Sequence, residues 1–170
     1  DLGNQSLFDV VSIQTLSDEA RTLLHETIRL LPAIQYRGAV GLDFSVCYPQ
    51  PEFDRRTVMF DLNYFKYCFL KSTGLEFDEM RLENDFEAMV NVLLQHMSDT
   101  FLYRDFQARN VMVKDGKPYL IDFQGGRKGP IYYDVASFLW QAKANYSPAL
   151  RQELLDSYRS EEHTSELQSL

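Results

Sequence analysis

The 170 residues hold 17 Lys and Arg against 25 Asp and Glu, a formal charge of −8, with 45% of positions apolar and 14% aromatic. This acidic balance argues against a phosphate-backbone binding surface, which needs clustered cations, while the apolar share suffices for one sizeable core and so for one domain. No apolar run approaches the ~20 residues that span a bilayer, and Asp1-Leu2-Gly3-Asn4-Gln5 lacks the basic end and apolar stretch of a signal peptide. The expected location is therefore cytoplasmic, with neither nucleic acid nor membrane as partner; oligomeric state is left open.

Cys47 and Cys68 show no CxxC spacing and no neighbouring Cys/His pair, so both read as buried reduced thiols. Residues 159–170 resemble the translated read-through of a sequencing adapter and are set apart from the domain expected over residues 1–158. His163, inside that tail, is accordingly not read as a ligand.

In chain order, a short segment from Gln5 to Ile13 precedes the first long helical signal. Ser17 is a good N-cap, Asp18 and Glu19 suit a first turn, and Leu23, Leu24, Ile28, Leu31 and Ile34 recur at helical spacing. An amphipathic helix is expected from Ser17 to about Gln35, with Pro32 placed to bend or end it. Gly38 to Arg55, where Pro49 and Pro51 stand among Phe44, Val46, Cys47, Tyr48 and Phe53, reads as an ordered, partly buried loop. Two more helices are expected: Arg56 to Lys71, closed by Gly74, and Asp78 to Met97, whose apolar face holds Phe86, Met89, Val90, Leu93 and Leu94.

From Thr100 the texture changes to short β-prone pieces, Phe101-Leu102-Tyr103, Val111-Met112-Val113 and Tyr119-Leu120-Ile121. Asp115-Gly116 favours a tight turn whose twist matches paired strands, so Val111 to Asp122 is expected to be a β-hairpin. Such pairing brings Asn110, at one open end, close to Asp122, at the other. Gln124 to Pro130 is a glycine-rich connection, after which Val135, Phe138, Leu139 and Ala142 restore a helical pattern, resumed from Ser147 with Pro148 in the first turn. Trp140 reads as core; His25 and His96 lie on helical segments without the partner spacing of metal ligands.

The hairpin gives these polar residues chemical meaning. Phosphoryl transfer requires positioning, a base near the accepting hydroxyl and metal ions that neutralise phosphate charge, and Mg²⁺ takes hard oxygen ligands, with only one or two protein carboxylates. Asn110 and Asp122 suit the metal, and Asp105, just after a strand, can accept or orient a hydroxyl proton.

Tyr103-Arg104-Asp105-x4-Asn110 followed by Ile121-Asp122-Phe123 resembles the catalytic loop and metal motif of eukaryotic-like kinases. A more specific resemblance is to the aminoglycoside phosphotransferase and choline kinase superfamily. Arg104-Asp105-Phe106-Gln107-Ala108-Arg109-Asn110, Ile121-Asp122-Phe123-Gln124 and Gly129-Pro130-x3-Tyr133-Asp134-Val135-Ala136-Ser137 are similar to its three C-lobe motifs, in order. Among its branches, these variants are most similar to bacterial sugar kinases acting at an anomeric hydroxyl, of the N-acetylmuramate/N-acetylglucosamine type.

The resemblance implies an α+β fold: the mainly helical C-terminal lobe of a protein-kinase-like fold, with a small β-hairpin carrying the catalytic and metal residues. It implies Asp105 as catalytic base, Asn110 and Asp122 as Mg²⁺ ligands, ATP as donor, a small-molecule hydroxyl as acceptor, and Asp134 and Arg104 as structural supports of the catalytic loop. It also implies an N-terminal lobe with a phosphate loop and a strand lysine. Neither is found here, so the chain is expected to begin at the inter-lobe hinge, near Asp1-Leu2-Gly3, and to be inactive alone. Gly125-Gly126-Arg127 cannot replace the loop, because it follows the metal aspartate instead of joining a strand to a helix N-terminus.

Three departures stand out: Tyr103 for the usual His, Gln107 where protein kinases have Lys, and Gln124 for the Gly of Asp-Phe-Gly. The last two are typical of the small-molecule branch. Arg109 and Gln107 are candidates for substrate or phosphate contact, with a carboxylate ion pair an equal reading of Arg109. Asp61 and Asn63 are candidates for the acceptor pocket, against the simpler reading of an ordinary amphipathic helix. The expected function is an ATP- and Mg²⁺-dependent kinase of a sugar or amino sugar; the alternatives are a pseudokinase-like binding module or an aminoglycoside kinase.

Overall fold

The computed structural model describes residues 1–11, 16–95 and 99–169. After a short helix, α1 (Leu7–Val11), Ser17 caps the long helix α2 (Asp18–Tyr36) by accepting a hydrogen bond from the Ala20 N–H at 3.1 Å. Pro32 does not end α2, which continues for another turn. Flanking Leu31 and Gln35 are fully buried: the Gln35 amide donates to the Ile131 carbonyl at 2.8 Å and its Oε1 accepts from the Tyr158 hydroxyl at 2.7 Å. That packing outweighs the one backbone bond proline removes.

The loop after α2 leads into α3 (Arg55–Tyr64), where Asp54 is the N-cap. The single helix expected over Arg56 to Lys71 instead changes pitch, to a π turn at Phe65–Phe69 and a 3₁₀ turn at Leu70–Thr73, before Gly74 closes it in the left-handed region. Helix α4 (Glu79–Leu94) follows from Asp78, whose carboxylate accepts from the N–H groups of Met80 and Arg81. Phe86 and Val90 are buried there, whereas Met89 is half exposed; the expected end at Met97, like His96, lies outside the described residues.

Strand β1 (Phe101–Leu102) pairs antiparallel with β4 (Arg127–Lys128), which lies inside the glycine-rich connection Gln124 to Pro130. The hairpin is formed by β2 (Val111–Lys114) and β3 (Lys117–Leu120), with Val111 opposite Leu120. Its turn residues Asp115 and Gly116 have φ of 51° and 68°, the doubly left-handed turn that follows strand twist. The chain ends in α5 (Tyr132–Leu139) and α6 (Pro148–Ser169). Helix α6 runs through the stretch set apart as a tail, with Ser165 buried.

Two apolar clusters meet at β1. The larger joins α1, α2, α5, α6 and the segment after β1; the smaller consists of Phe53, Val58, Val90 and Leu102. Successive strand side chains point to opposite sides, so Leu102 enters the smaller cluster and Tyr103 the larger. Two readings are corrected here. Trp140 is 58% exposed, with the Arg151 guanidinium over its ring, and Cys68 is exposed, since each sits on the outer face of its element.

Gly126 sets the β1–β4 crossing, because a Cβ there would lie 2.1 Å from the tip of the Phe101 ring. Gly126→Ala is expected to cost about 1–3 kcal/mol, the range for overpacking, and Phe101→Leu in the same chain to recover part of it. Urea unfolding of both single variants and the double variant checks this; strictly additive losses would contradict it.

Candidate active site

Every second residue of the loop after β1 is an anchor. Phe106 and Ala108 are fully buried, and Phe106 packs its ring against Tyr103 and Phe138 at centroid distances of 5.7 and 5.2 Å. The alternate residues, Asp105, Gln107 and Arg109, are left partly or fully exposed. The Asn110 amide donates to the Asp105 carbonyl at 2.8 Å and closes the loop on itself.

Asp134, fully buried on α5, holds the loop from below. Its two carboxylate oxygens accept from the Tyr103 and Arg104 N–H groups, both at 2.8 Å. Arg104 has φ of 75°, an uncommon conformation for a residue with a side chain, maintained by this clamp. Burial pushes the Asp134 carboxyl up to about 7, against the pull of the two N–H donors, which favour its ionised form.

Asp122 follows the hairpin, also with positive φ, 70°, and its Oδ1 accepts from the Gln124 amide at 2.6 Å. The Ile121 N–H donates to the Asn110 carbonyl at 3.0 Å, so the hairpin ends meet as its turn requires. The Tyr103 hydroxyl donates to the Ile121 carbonyl at 2.6 Å, joining the loop after β1 to the residue before Asp122. Burial, reinforced by the charges of Asp122, Asp134 and Asp105, pushes that phenol up to about 12, so it remains a donor.

The donor set suits a hard cation. With its Nδ2 donating to Asp105, Asn110 keeps its amide oxygen as an acceptor, and Asp122 offers a second carboxylate oxygen on an exposed residue. Among the described residues no group of three or more His, Cys, Asp or Glu is assembled.

The remaining candidates separate in space. Gln107 and Arg109 line a cleft of about 430 Å³ with Phe8, Trp140 and Lys143. Arg109 forms no ion pair among the described residues. Arg104 instead lines a second cleft of about 540 Å³, with Arg56, Phe60 and Arg127. Asn63 spends its amide on the Met59 carbonyl of its own helix. Asp61 reaches the loop after β1: Oδ1 pairs with the Arg104 guanidinium at 3.2 Å, and Oδ2 is buried without a partner among the described residues. Arg56 and Arg127 were not singled out from sequence. The only signal was a cation placed directly after two glycines in a segment that turns out to be a strand.

A model of the phosphotransferase enzyme family (APH) matches residues 12–169. The chain belongs to that family. Its phosphotransferase-family relatives include the N-acetylmuramate/N-acetylglucosamine kinase of Neisseria meningitidis serogroup B, 31% identical over 148 residues, covering 84% of this chain and 41% of the relative. The kinase of the same name from Pseudomonas aeruginosa is 26% identical over 139 residues, covering 79% and 38%. The chain thus spans about two fifths of the length of the curated relatives it matches. An ADP-bound crystal structure of the aminoglycoside phosphotransferase APH(2'')-Ib has the same fold, with a TM-score of 0.59 at 16% identity over 98% of this chain and 57% of that one. No helix among the described residues is long and apolar enough to cross a membrane.

A carboxyl whose pKa is higher folded than unfolded contributes stability that is complete below the unfolded value, near 3.8, and is lost as pH rises through about 7. Wild type is therefore expected to lose stability relative to Asp134→Asn between about pH 4 and about pH 7, as measured by urea unfolding. A flat difference would mean that the two N–H donors keep the carboxylate ionised throughout. Asp134→Ala strands both donors and is expected to cost about 1–3 kcal/mol for each.

Proposed function

We propose that the protein carrying this chain transfers the γ-phosphoryl group of ATP to a hydroxyl of a small molecule, a sugar or amino sugar. The observation that supports it best is the joint placement of Asp105, Asn110 and Asp122: one loop closed by the Asn110–Asp105 bond, clamped by Asp134, and tied through Tyr103 to the strand that delivers Asp122. The names of the two relatives favour an amino-sugar acceptor, and the anomeric hydroxyl is the position we assign.

In this reading the chain is the C-terminal lobe. A preceding lobe is expected to supply the glycine-containing loop and lysine that hold the donor phosphates. Asp105 receives or orients the proton of the attacking hydroxyl. Asn110 and Asp122 would hold Mg²⁺, which when bound neutralises charge on the phosphates. Arg104, fixed by Asp134 and Asp61, keeps Asp105 at the loop surface, and the unpartnered Oδ2 of Asp61 is suited to accept from an acceptor hydroxyl. The intact set of three favours catalysis over a pseudokinase-like binding role.

Asp105→Asn in the full-length protein is expected to lower kcat by about 10²–10⁴ with little change in KM, the effect of removing a positioned proton acceptor. Steady-state assays with ATP and Mg²⁺ on a panel of sugars, amino sugars and aminoglycosides check this; undiminished turnover refutes the role of Asp105. Asp122→Asn is expected to raise the Mg²⁺ concentration needed for half-maximal rate, and chelation by EDTA to abolish turnover in wild type.

A further inference from the structure

Helix α5 and its exit meet the loop after β1 along one face. Asp134, Phe138 and Gln141 stand at i, i+4 and i+7, the spacing of a single helical stripe, although Gln141 lies just past the last residue of α5. In that order they hold the loop at three successive points. Asp134 accepts from the Tyr103 and Arg104 N–H groups, the Phe138 ring packs on Phe106 at 5.2 Å, and Gln141 Oε1 accepts from the Ala108 N–H at 3.2 Å.

The third attachment bears on Asn110. Ala108 is fully buried and opens the 3₁₀ turn Ala108–Asn110, and the N–H that leads such a turn has no acceptor within it. Gln107, the residue before, makes no side-chain cap bond. Gln141 therefore caps the turn from 33 positions away, and a buried N–H left unmet would be costly. The Gln141 amide is itself fixed. Its Nε2 donates to the Phe138 carbonyl at 2.8 Å, near the end of α5, and to the hydroxyl of buried Tyr146 at 3.3 Å. A reversed amide would set N–H against N–H at Ala108 and oxygen against oxygen at Phe138, so these partners admit one orientation.

Resting on the reading of Asn110 as a Mg²⁺ ligand, we infer that Gln141 is a positioning residue for it: by capping the Ala108–Asn110 turn, Gln141 sets the direction in which the Asn110 amide oxygen is presented. Groups one step behind a metal ligand orient it, and their loss weakens metal binding. Asp134 governs the end of the loop that presents Asp105, and Gln141 the end that presents Asn110. Loss of Gln141 is thus felt in metal affinity and not in the binding of the acceptor.

The test uses the full-length protein with Mn²⁺ in place of Mg²⁺, its affinity measured by electron paramagnetic resonance with ADP present. Urea unfolding and steady-state kinetics on the acceptor panel above accompany it. Gln141→Leu removes both halves of the amide and is expected to weaken Mn²⁺ binding about tenfold. The Mg²⁺ concentration for half-maximal rate rises with it, while KM for the acceptor stays at the wild-type value. Gln141→Glu keeps an acceptor for the Ala108 N–H but sets an oxygen against the Phe138 carbonyl; it is expected to lose stability as Gln141→Leu does, yet to retain most of the Mn²⁺ affinity. Ser17→Ala, which loses the cap of α2, controls for destabilisation alone and is expected to bind Mn²⁺ as wild type does. Hydrogen exchange on wild type needs no variant: the Ala108 N–H is expected to exchange as slowly as those of Tyr103 and Arg104. Exchange at the solvent rate, wild-type Mn²⁺ affinity in Gln141→Leu, or equal losses of affinity in Gln141→Leu and Gln141→Glu overturns the inference. Weaker Mn²⁺ binding in Gln141→Leu, in a protein whose wild type turns over none of the acceptors, supports the inference and refutes the kinase reading.

Discussion

The buried Asp134 carboxylate sets the geometry on which the site depends. It is fully enclosed and accepts from two consecutive N–H groups, those of Tyr103 and Arg104, which no strand partner occupies. Adjacent N–H groups can converge on one carboxylate only if the chain turns sharply between them, and Arg104 does so with φ of 75°. That turn ends β1 and lifts Asp105 to the surface. A buried carboxylate is expensive unless fully hydrogen-bonded, so the clamp and the turn stabilise each other, and the strain at Arg104 persists because the surrounding structure over-determines it.

From this point the three candidate residues, Asp105, Asn110 and Asp122, are held by different means. Asp105 and Asn110 share one loop, secured by burial of Phe106 and Ala108 and closed by their own side-chain to backbone bond. Asp122 arrives on the hairpin and is coupled to that loop on both sides of Ile121, through its N–H to the Asn110 carbonyl and through the Tyr103 hydroxyl to its own carbonyl. The Tyr103 ring also packs against Phe106 at a centroid distance of 5.7 Å, which fixes where its hydroxyl reaches. The cleft lined by Arg56, Arg104 and Arg127 attaches to the same frame. Residues 51–53 and β4 are bridged by the Phe53 N–H to Lys128 bond at 2.8 Å and the Lys128 N–H to Pro51 bond at 3.0 Å, so the start of α3 and Arg127 form one wall beside Arg104.

Local signals made the main elements legible. Ser17 with its acidic first turn, Asp78, and Pro148 after Ser147 marked three helix starts to within a residue or two, because capping is decided by side chains adjacent in sequence. The Asp115-Gly116 turn likewise fixed the hairpin register, and with it the nearness of Asn110 and Asp122. Less legible were features set by partners distant in sequence. Pro32 fails to end α2 because Gln35 is held by Ile131 and Tyr158, and β4 exists because Gly126 lets it pass over the Phe101 ring.

The sequence by itself determined the helix starts, the hairpin and the identity of the three polar residues at its base, all of which follow from short-range backbone chemistry and spacing. Only the tertiary structure decided that Tyr103 would serve as the link between loop and hairpin, that Asp61 would turn to Arg104 while Asn63 bonds back to its own helix, and that Gln107 and Arg109 would line a cleft separate from that of Arg104. It also gathered Arg56, Arg104 and Arg127 on one wall. Guanidinium groups from three separate segments can share a cleft only once sheet pairing and the two apolar clusters have placed those segments side by side, and nothing in their local sequence carries that information.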